Sequence, residues 1–457
     1  MSIVKEFETG HAVRIPRILT GRAMNRVGSR PRTFDRDDHE GIKPQRAMLL
    51  SACLIIFLAA ATPGGSQTFE VPANRSAAQI LPANLIAGPH YRVRDKVVSY
   101  GYMHHFTVDS DFGVFEVTGN GALRKLLREI RAIAGLKKVE QGEAYLKAVG
   151  HAAKAPFRLA KNLITDPVDT VTGIPKGIFT IFGNVGRSIT MKHDPSEDSR
   201  LKQTLFVSSW KRDYAYEYGV DVYSSNKALQ KELNKVGWAA AVGGLSVSVA
   251  TAAAGGAAAV AAYKNIRLAD QMNQVLKAEP PPRVRIICEK KFTAMGIPDD
   301  LAKKYLDHPQ FTPRHDLVIA ESLSQLKGAR GRDVFLKAIL AARDEVSANF
   351  FMNTAETMRG YHETVSPITE ITIVGGFTFA KTQKGSALMP FPLDHGVWSA
   401  KASQVIDYLK TNYKSPGFNG VIELWVAGTV SPLARQQLAI RGFTVVENVY
   451  RRVGFID

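Results

Sequence analysis

The apolar positions of this chain change their repeat twice along its length. Over segments 91–98, 102–108 and 114–118 they alternate with polar residues, the two-residue repeat of half-buried strands. Asp109-Ser110-Asp111-Phe112-Gly113 lies between the last two segments and predicts a hairpin loop with its glycine well placed. From Asn120, a candidate helix cap, the repeat lengthens to three and four. Leu123, Leu126, Leu127, Ile130 and Ile133 then form one stripe, with Arg124, Lys125, Arg128 and Arg131 outside it. Helical texture continues, with breaks, to about residue 363. Runs are predicted over 139–163, 171–189 and 200–218, then one long helix or a helical pair over 226–277. Shorter helices follow at 283–294, 299–306, 314–326 and 332–360. Asp166-Pro167, His193-Asp194-Pro195-Ser196 and Pro280-Pro281-Pro282 mark interruptions.

After Tyr361 the alternation returns. Residues 368–374, 377–381 and 386–391 read as strands, 399–412 as a helix and 421–426 as a buried strand. Ser431 caps and Pro432 opens a helix that ends at Arg441-Gly442, and 443–449 is the next strand. The pattern predicts an α+β chain with a small N-terminal β-hairpin region (90–118), a mainly α-helical body (119–363) and a C-terminal α/β domain (364–457) containing a βαβ unit. Residues 62–89 contain Pro63, Pro72, Pro82 and Pro89 and read as a linker.

One apolar run obeys neither repeat. Ala47 to Ala61 follows Lys43 and Arg46 and precedes Thr62-Pro63-Gly64-Gly65. This is the charge, length and exit pattern of a signal peptide over 43–61, with a small-residue cleavage site after Ala61. The alternative is an anchor in the inner membrane through residues 47–62, with the basic lead-in left inside; the positive charge before the run fits both. Residues 1–42 are Arg-rich, lack apolar periodicity and read as disordered or as an over-called start, with Met24 a later possible initiator. Cys53 resembles a lipidation site poorly, because the apolar run continues past it through Phe57.

Charge sharpens this picture. The 457-residue chain has a formal charge of +17. Residues 1–61 hold ten Lys/Arg and six Asp/Glu, so their removal leaves +13. A basic exported protein suits an anionic membrane surface or an envelope protein as partner, and export makes nucleic acid the least fitting one. Two segments bear on membrane contact. Residues 236–263 carry no charge, but with twelve Ala and five Gly they are only marginally hydrophobic. Small residues also let helices approach closely. Residues 171–189 carry Gly173, Gly177, Gly183 and Gly186 beside their apolar stripe, a helical cost that close packing or a bilayer surface would offset. Outside the signal, Cys288 is the single cysteine and lies among Val284, Ile286 and Ile287, as a small buried hydrophobe does.

Candidate chemistry is sparse. Ser208-Ser209-Trp210-Lys211 has an S-x-x-K form and Ser224-Ser225-Asn226 an S-x-N form, but they lie too close together, and Lys381-Thr382 is followed by Gln383 rather than Gly. His104 and His105 are adjacent on a strand and point to opposite faces. His308, His315 and Asp316 flank a helix start, His362-Glu363 lacks an H-E-x-x-H partner, and His395 neighbours Asp394. No metal or cofactor is predicted, and glycine-rich nucleotide patterns are absent. Gly428, Thr429, Val430 and Ser431 lie between a strand and a helix start, where free N–H groups and the helix dipole receive anions; they are the best small-ligand candidates, with Ser431 as a plain cap the alternative.

Two functions follow from this reading. One is a non-enzymatic envelope protein that binds a membrane surface or a protein partner. The other is an exported enzyme with its site between the helical body and the C-terminal domain; titratable groups clustered in a shared cleft would favour it. Export itself predicts a mature N-terminus near Thr62 in protein recovered outside the cytoplasm. N-terminal sequencing checks this, and full-length protein in the soluble cytoplasmic fraction contradicts it.

Overall fold

The computed structural model describes residues 68–100, 102–153, 209–245 and 267–453. The expected signal segment 43–61, the lead-in 1–42, the run 171–189 and positions 246–263 of the small-residue segment lie outside the described residues. The fold is α+β, as the apolar repeat predicts.

The N-terminal sheet is larger than a hairpin. Strand β5 (Met103–Ser110) is its spine. Along one edge it pairs with β4 (Lys96–Tyr100; Val98 opposite His105) and β3 (Tyr91–Val93; Val93 opposite Val108). Along the other it pairs with β6 (Gly113–Thr118). Short strands β1 (Arg75–Ser76) and β2 (Ala87–Gly88) extend the sheet beside β4 and β3, and every pairing is antiparallel. The expected five-residue hairpin loop shrinks to Asp111 and Phe112, because Ser110 pairs with Gly113. From Thr68 onward the expected linker belongs to the fold. Ser76 and Gln79 form a capping box on helix α1 (Ala77–Ile80), Ala77 is fully buried, and helix α2 (Ala83–Ile86) follows. The Ser-x-x-Gln spacing prevails over the prolines, which sit between elements.

Helix α3 (Asn120–Gln141) follows Gly119, whose φ of 102° only glycine adopts readily. Asn120 is therefore the first helical residue and not the cap. All five stripe residues are buried. Leu123, Leu126, Leu127 and Ile130 pack with Phe106 and Val108 under the sheet. Ile133, Leu136 and Val139 pack with Tyr214 of helix α5 (209–217), with Tyr218 just beyond it, and with Leu229, Leu233 and Val236 of helix α6 (Lys227–Gly243). The expected helix 139–163 begins anew after Gly142 as α4 (Glu143–Ala153). Gly243 explains part of the small-residue segment: a Cβ there would lie 2.3 Å from the Ala148 carbonyl oxygen of α4. Ala239 and Ala240 are likewise buried, so the described start of this segment is a tight helix crossing.

Helices α7 (Arg267–Ala278), α8 (Pro281–Ala294), α9 (Asp299–Leu306), α10 (Pro313–Gln325), α11 (Arg332–Ile339) and α12 (Glu345–Thr364) complete the body. The expected helix 332–360 is two helices, because Asp344 accepts the Ser347 N–H and starts α12 afresh. Cys288 is buried in this core, as its apolar neighbours predict.

The C-terminal sheet consists of β7 (Ile368–Val374), β8 (Phe377–Thr382), β9 (Ala387–Phe391), β11 (Ile422–Val426) and β13 (Phe443–Val446), in the order β13–β11–β9–β8–β7, while β10 (His395–Gly396) and β12 (Thr429–Val430) form a separate parallel pair. β7, β8 and β9 form an antiparallel meander. β9, β11 and β13 are parallel, joined by helices α13 (Ala400–Asn412) and α14 (Pro432–Ile440). Strand β11 shows why both faces must be covered. Ile422, Leu424 and Val426 pack with Leu409 of α13 and Leu438 of α14. Trp425 points the other way and meets Tyr361 of α12 edge-on at 4.9 Å. The expected boundary at residue 364 thus cuts through a core that the helical body shares. Among the described residues, no helix is long and apolar enough to cross a membrane.

Candidate functional site

The loop Gly428–Ser431 lies where expected, but its N–H groups are committed. Gly428 donates to Leu393 O (2.8 Å), Thr429 to Asp394 O (3.0 Å) and Ser431 to Gly396 O (2.8 Å). Val430 donates to Glu447 Oε1 at 2.7 Å. Ser431 Oγ caps α14 by accepting the Ala434 N–H and donates to Glu70 Oε2 at 2.5 Å. Glu70 also receives the Trp398 N–H at 2.7 Å. The anions at this helix start are therefore carboxylates of the chain itself, one of them from the segment read as a linker.

The other sequence candidates separate. His104 and His105 do face opposite ways: His104 meets Ser99 Oγ at 2.9 Å, and His105 meets Thr118 Oγ1 at 2.9 Å. His395 bonds Arg75 and Thr429, not Asp394. Asp394 instead accepts the N–H groups of His104 (2.9 Å) and Asn120 (3.1 Å), holding the start of α3 from across the molecule. His308 lies 3.1 Å from the Leu340 carbonyl, and His362 Nδ1 accepts the Ile368 N–H. Among the described residues, no group of three His, Cys, Asp or Glu side chains is placed to hold a metal ion. Ser208 lies outside the described residues, and Lys211 donates to Gln230 at 3.0 Å. Ser224 and Asn226 clasp the Glu129 carboxylate, at 2.6 and 2.9 Å, and Asn226 also caps α6.

That clasp forms one wall of a cleft of about 770 Å³. Helix α3, strand β6, helix α5, the loop 219–226 and helices α7, α10 and α12 line it, and Asp394 and Tyr450 border it from the C-terminal part of the chain. The volume is in the range that holds small molecules. At its centre Lys125 Nζ lies 3.3 Å from Asp221 Oδ2 and 3.8 Å from Glu345 Oε1. Helix geometry puts Lys125 and Glu129, four apart, on one side of α3. Asp221 is positioned by its own loop, where its Oδ1 accepts the Tyr223 N–H at 2.9 Å. Glu345 occupies the first turn of α12, where the helix dipole favours a negative charge, and accepts from Ser225 Oγ at 2.6 Å. His315 enters from the start of α10. Its Nδ1 accepts the Thr312 N–H, so Nε2 carries the proton and donates to Asn349 Oδ1 at 3.1 Å.

Burial and charge push these groups apart. Burial would lift the Asp221 carboxyl, but Lys125 and Arg314 outweigh it and hold the group below its ordinary value. Burial lifts Glu129 above its ordinary value, against the pull of Lys125, Ser224 and Asn226. Burial would lower the Lys125 amine, and Asp221, Glu129 and Glu345 overcome that, so it stays cationic. His315 is driven down to about 4 by burial and stays neutral. A carboxyl shifted up, a carboxyl shifted down and a fixed cation thus line one enclosure.

Compared with known proteins, the chain matches no family model, no curated protein and no solved structure. Lys125 is visible in the sequence as a charge beside the α3 stripe. Glu129 escapes notice because an acidic residue at the edge of the α3 stripe reads as one more solvated charge among Arg124, Lys125, Arg128 and Arg131. Asp221, Glu345 and Asn349 lie far from both in sequence, and only the fold brings them together.

The His315 environment makes stability depend on pH. Its imidazole resists protonation when folded and accepts a proton near 6.5 when unfolded, so stability falls as pH drops through that value toward about 4. Urea melts should show the advantage of wild type over His315→Gln shrinking by about 2 kcal/mol between pH 7 and pH 5. An unchanged difference contradicts a neutral buried His315.

Proposed function

We propose that the protein is an exported enzyme that works by proton transfer on a polar small molecule held in this cleft. One observation carries the reading: two buried carboxyl groups with opposed environments, Glu129 and Asp221, share the cation Lys125 inside one enclosure. Pairs pushed apart in this way divide the work of acid and base. Glu129 is the proton donor, Asp221 the carboxylate that accepts a proton or stabilises developing positive charge, and Lys125 keeps Asp221 ionised. The neutral His315–Asn349 pair offers a polar edge for orienting the ligand. Export rests on the apolar run 47–61 and its flanks. The rival role, a non-enzymatic protein on an anionic membrane surface or an envelope partner, rests on 171–189 and 236–263, of which 171–189 and 246–263 lie outside the described residues.

Carbon-13 titration of labelled Asp and Glu carboxyls tests the acid–base assignment without a known substrate. Glu129 should titrate above its ordinary 4.5 and Asp221 below its ordinary 3.8, with Glu129→Gln and Asp221→Asn identifying the signals. Both groups titrating at ordinary values would remove the basis for an acid–base pair.

A further inference from the structure

The cleft that holds the acid–base pair also contains a cation, Arg212, with no counter-ion among the described residues. Arg212, from helix α5, is only 7% exposed and lines the cleft wall. Its Nε donates to the Lys277 carbonyl at 2.9 Å, at the C-terminal end of α7. Its Nη1 is buried and has no acceptor among the described residues. The neighbouring cations are committed. Lys125 serves Asp221, Lys277 Nζ lies 3.9 Å from Glu217, and Arg314 donates to Asn273 at 3.0 Å. Asp221 is oriented elsewhere, with one oxygen facing Lys125 and the other taking the Tyr223 N–H, and among the described residues it makes no ion pair with Arg212.

One unsatisfied charged donor defines what is missing. A buried guanidinium without a counter-ion among its neighbours is costly. A guanidinium N–H left without an acceptor calls for an oxygen carrying negative charge. We propose that Arg212 is the anion-receiving group of the cleft and that the ligand carries a carboxylate or a phosphate, seated on Arg212. The proposal rests on the reading of the cleft as the functional site. The rest of such a ligand extends toward Lys125, Glu129 and Asp221, which the cleft volume accommodates. Carboxylate and phosphate share this chemistry but differ in what they need from the side chain. A carboxylate gains most from the planar two-pronged fork, whereas a phosphate also accepts a point charge.

Isothermal titration of the full mature chain with succinate and with inorganic phosphate, in a buffer free of both, tests the proposal. At least one probe should bind wild type, and Arg212→Gln should weaken that binding at least tenfold. Lys227→Gln, an exposed cation on the same cleft, should change it less than twofold. Succinate binding lost in Arg212→Lys assigns a carboxylate ligand; phosphate binding kept in Arg212→Lys assigns a phosphate. If Arg212→Gln shows no cooperative melt, Arg212→Lys, which keeps the buried charge, and Lys227→Gln decide between a fork-specific site and diffuse attraction. Failure of both probes to bind wild type, wild-type affinity in Arg212→Gln, or an equal loss in Lys227→Gln would overturn the proposal. The carboxyl titrations are read in ligand-free protein, so their outcome and this one stand apart. Shifted carboxyls without anion binding would overturn only the assignment of Arg212. Anion binding with ordinary carboxyls would keep Arg212 and remove the acid–base pair.

Discussion

Burial of helix Asn120–Gln141 on almost all sides is the constraint from which the arrangement follows. Its first half is roofed by the N-terminal sheet, and its second half is packed against helices 209–217 and Lys227–Gly243. Each large apolar side chain hidden in this way contributes roughly 1.5–3 kcal/mol. A helix so enclosed leaves little choice for its charged residues. Lys125 and Glu129 lie on the side that faces the cleft, and they find partners there. Asp221, Glu345, Ser224 and Asn226 are those partners, and the space among them is the cleft.

The same helix ties the two ends of the chain together. Its first N–H groups need acceptors. Gly119 has no side chain to offer one, so Asp394 of the C-terminal domain supplies the carboxylate. Asp394 is fully enclosed, and burial raises it to about 6, against the pull of the His104 and Asn120 N–H groups and Arg124. A second tie runs in the opposite direction, from Glu70 before the first strand to Ser431 and Trp398. Together these carboxylates fix the border along which Asp394 and Tyr450 close the cleft.

Much of the fold can be read from the apolar repeat because the repeat records burial directly. The α3 stripe, most strands of both sheets and the Ser431-Pro432 helix start appear at or within a residue or two of their predicted positions, whereas the predicted strand 91–98 divides at Arg94-Asp95 into β3 and β4 and 443–449 ends at Val446. The departures have local causes. Residues 68–89 read as a linker because prolines dominate the composition, while the Ser76–Gln79 box organises the backbone. Residues 332–360 read as one helix because the apolar spacing carries across Asp344, whose cap breaks the backbone without breaking the pattern. The site was far less legible. The sequence pointed to helix-start N–H groups at 428–431, and these are filled by Glu447 and by main-chain carbonyls, with Glu70 on the Ser431 hydroxyl. The cleft depends on Lys125, Glu129, Asp221, His315 and Glu345, residues up to 220 positions apart that carry no shared motif. Their common property, charge confined in a small enclosure, exists only once α3 is buried.

The central claim is that this enclosure is where the protein meets its ligand. Crystals of the protein soaked individually with a library of small polar fragments would test it most directly. The account predicts that bound fragments concentrate between Lys125, Asp221 and Arg212, and that Asp221→Asn thins them there while leaving hits elsewhere unchanged. Fragments distributed over the surface with none in the cleft would contradict it.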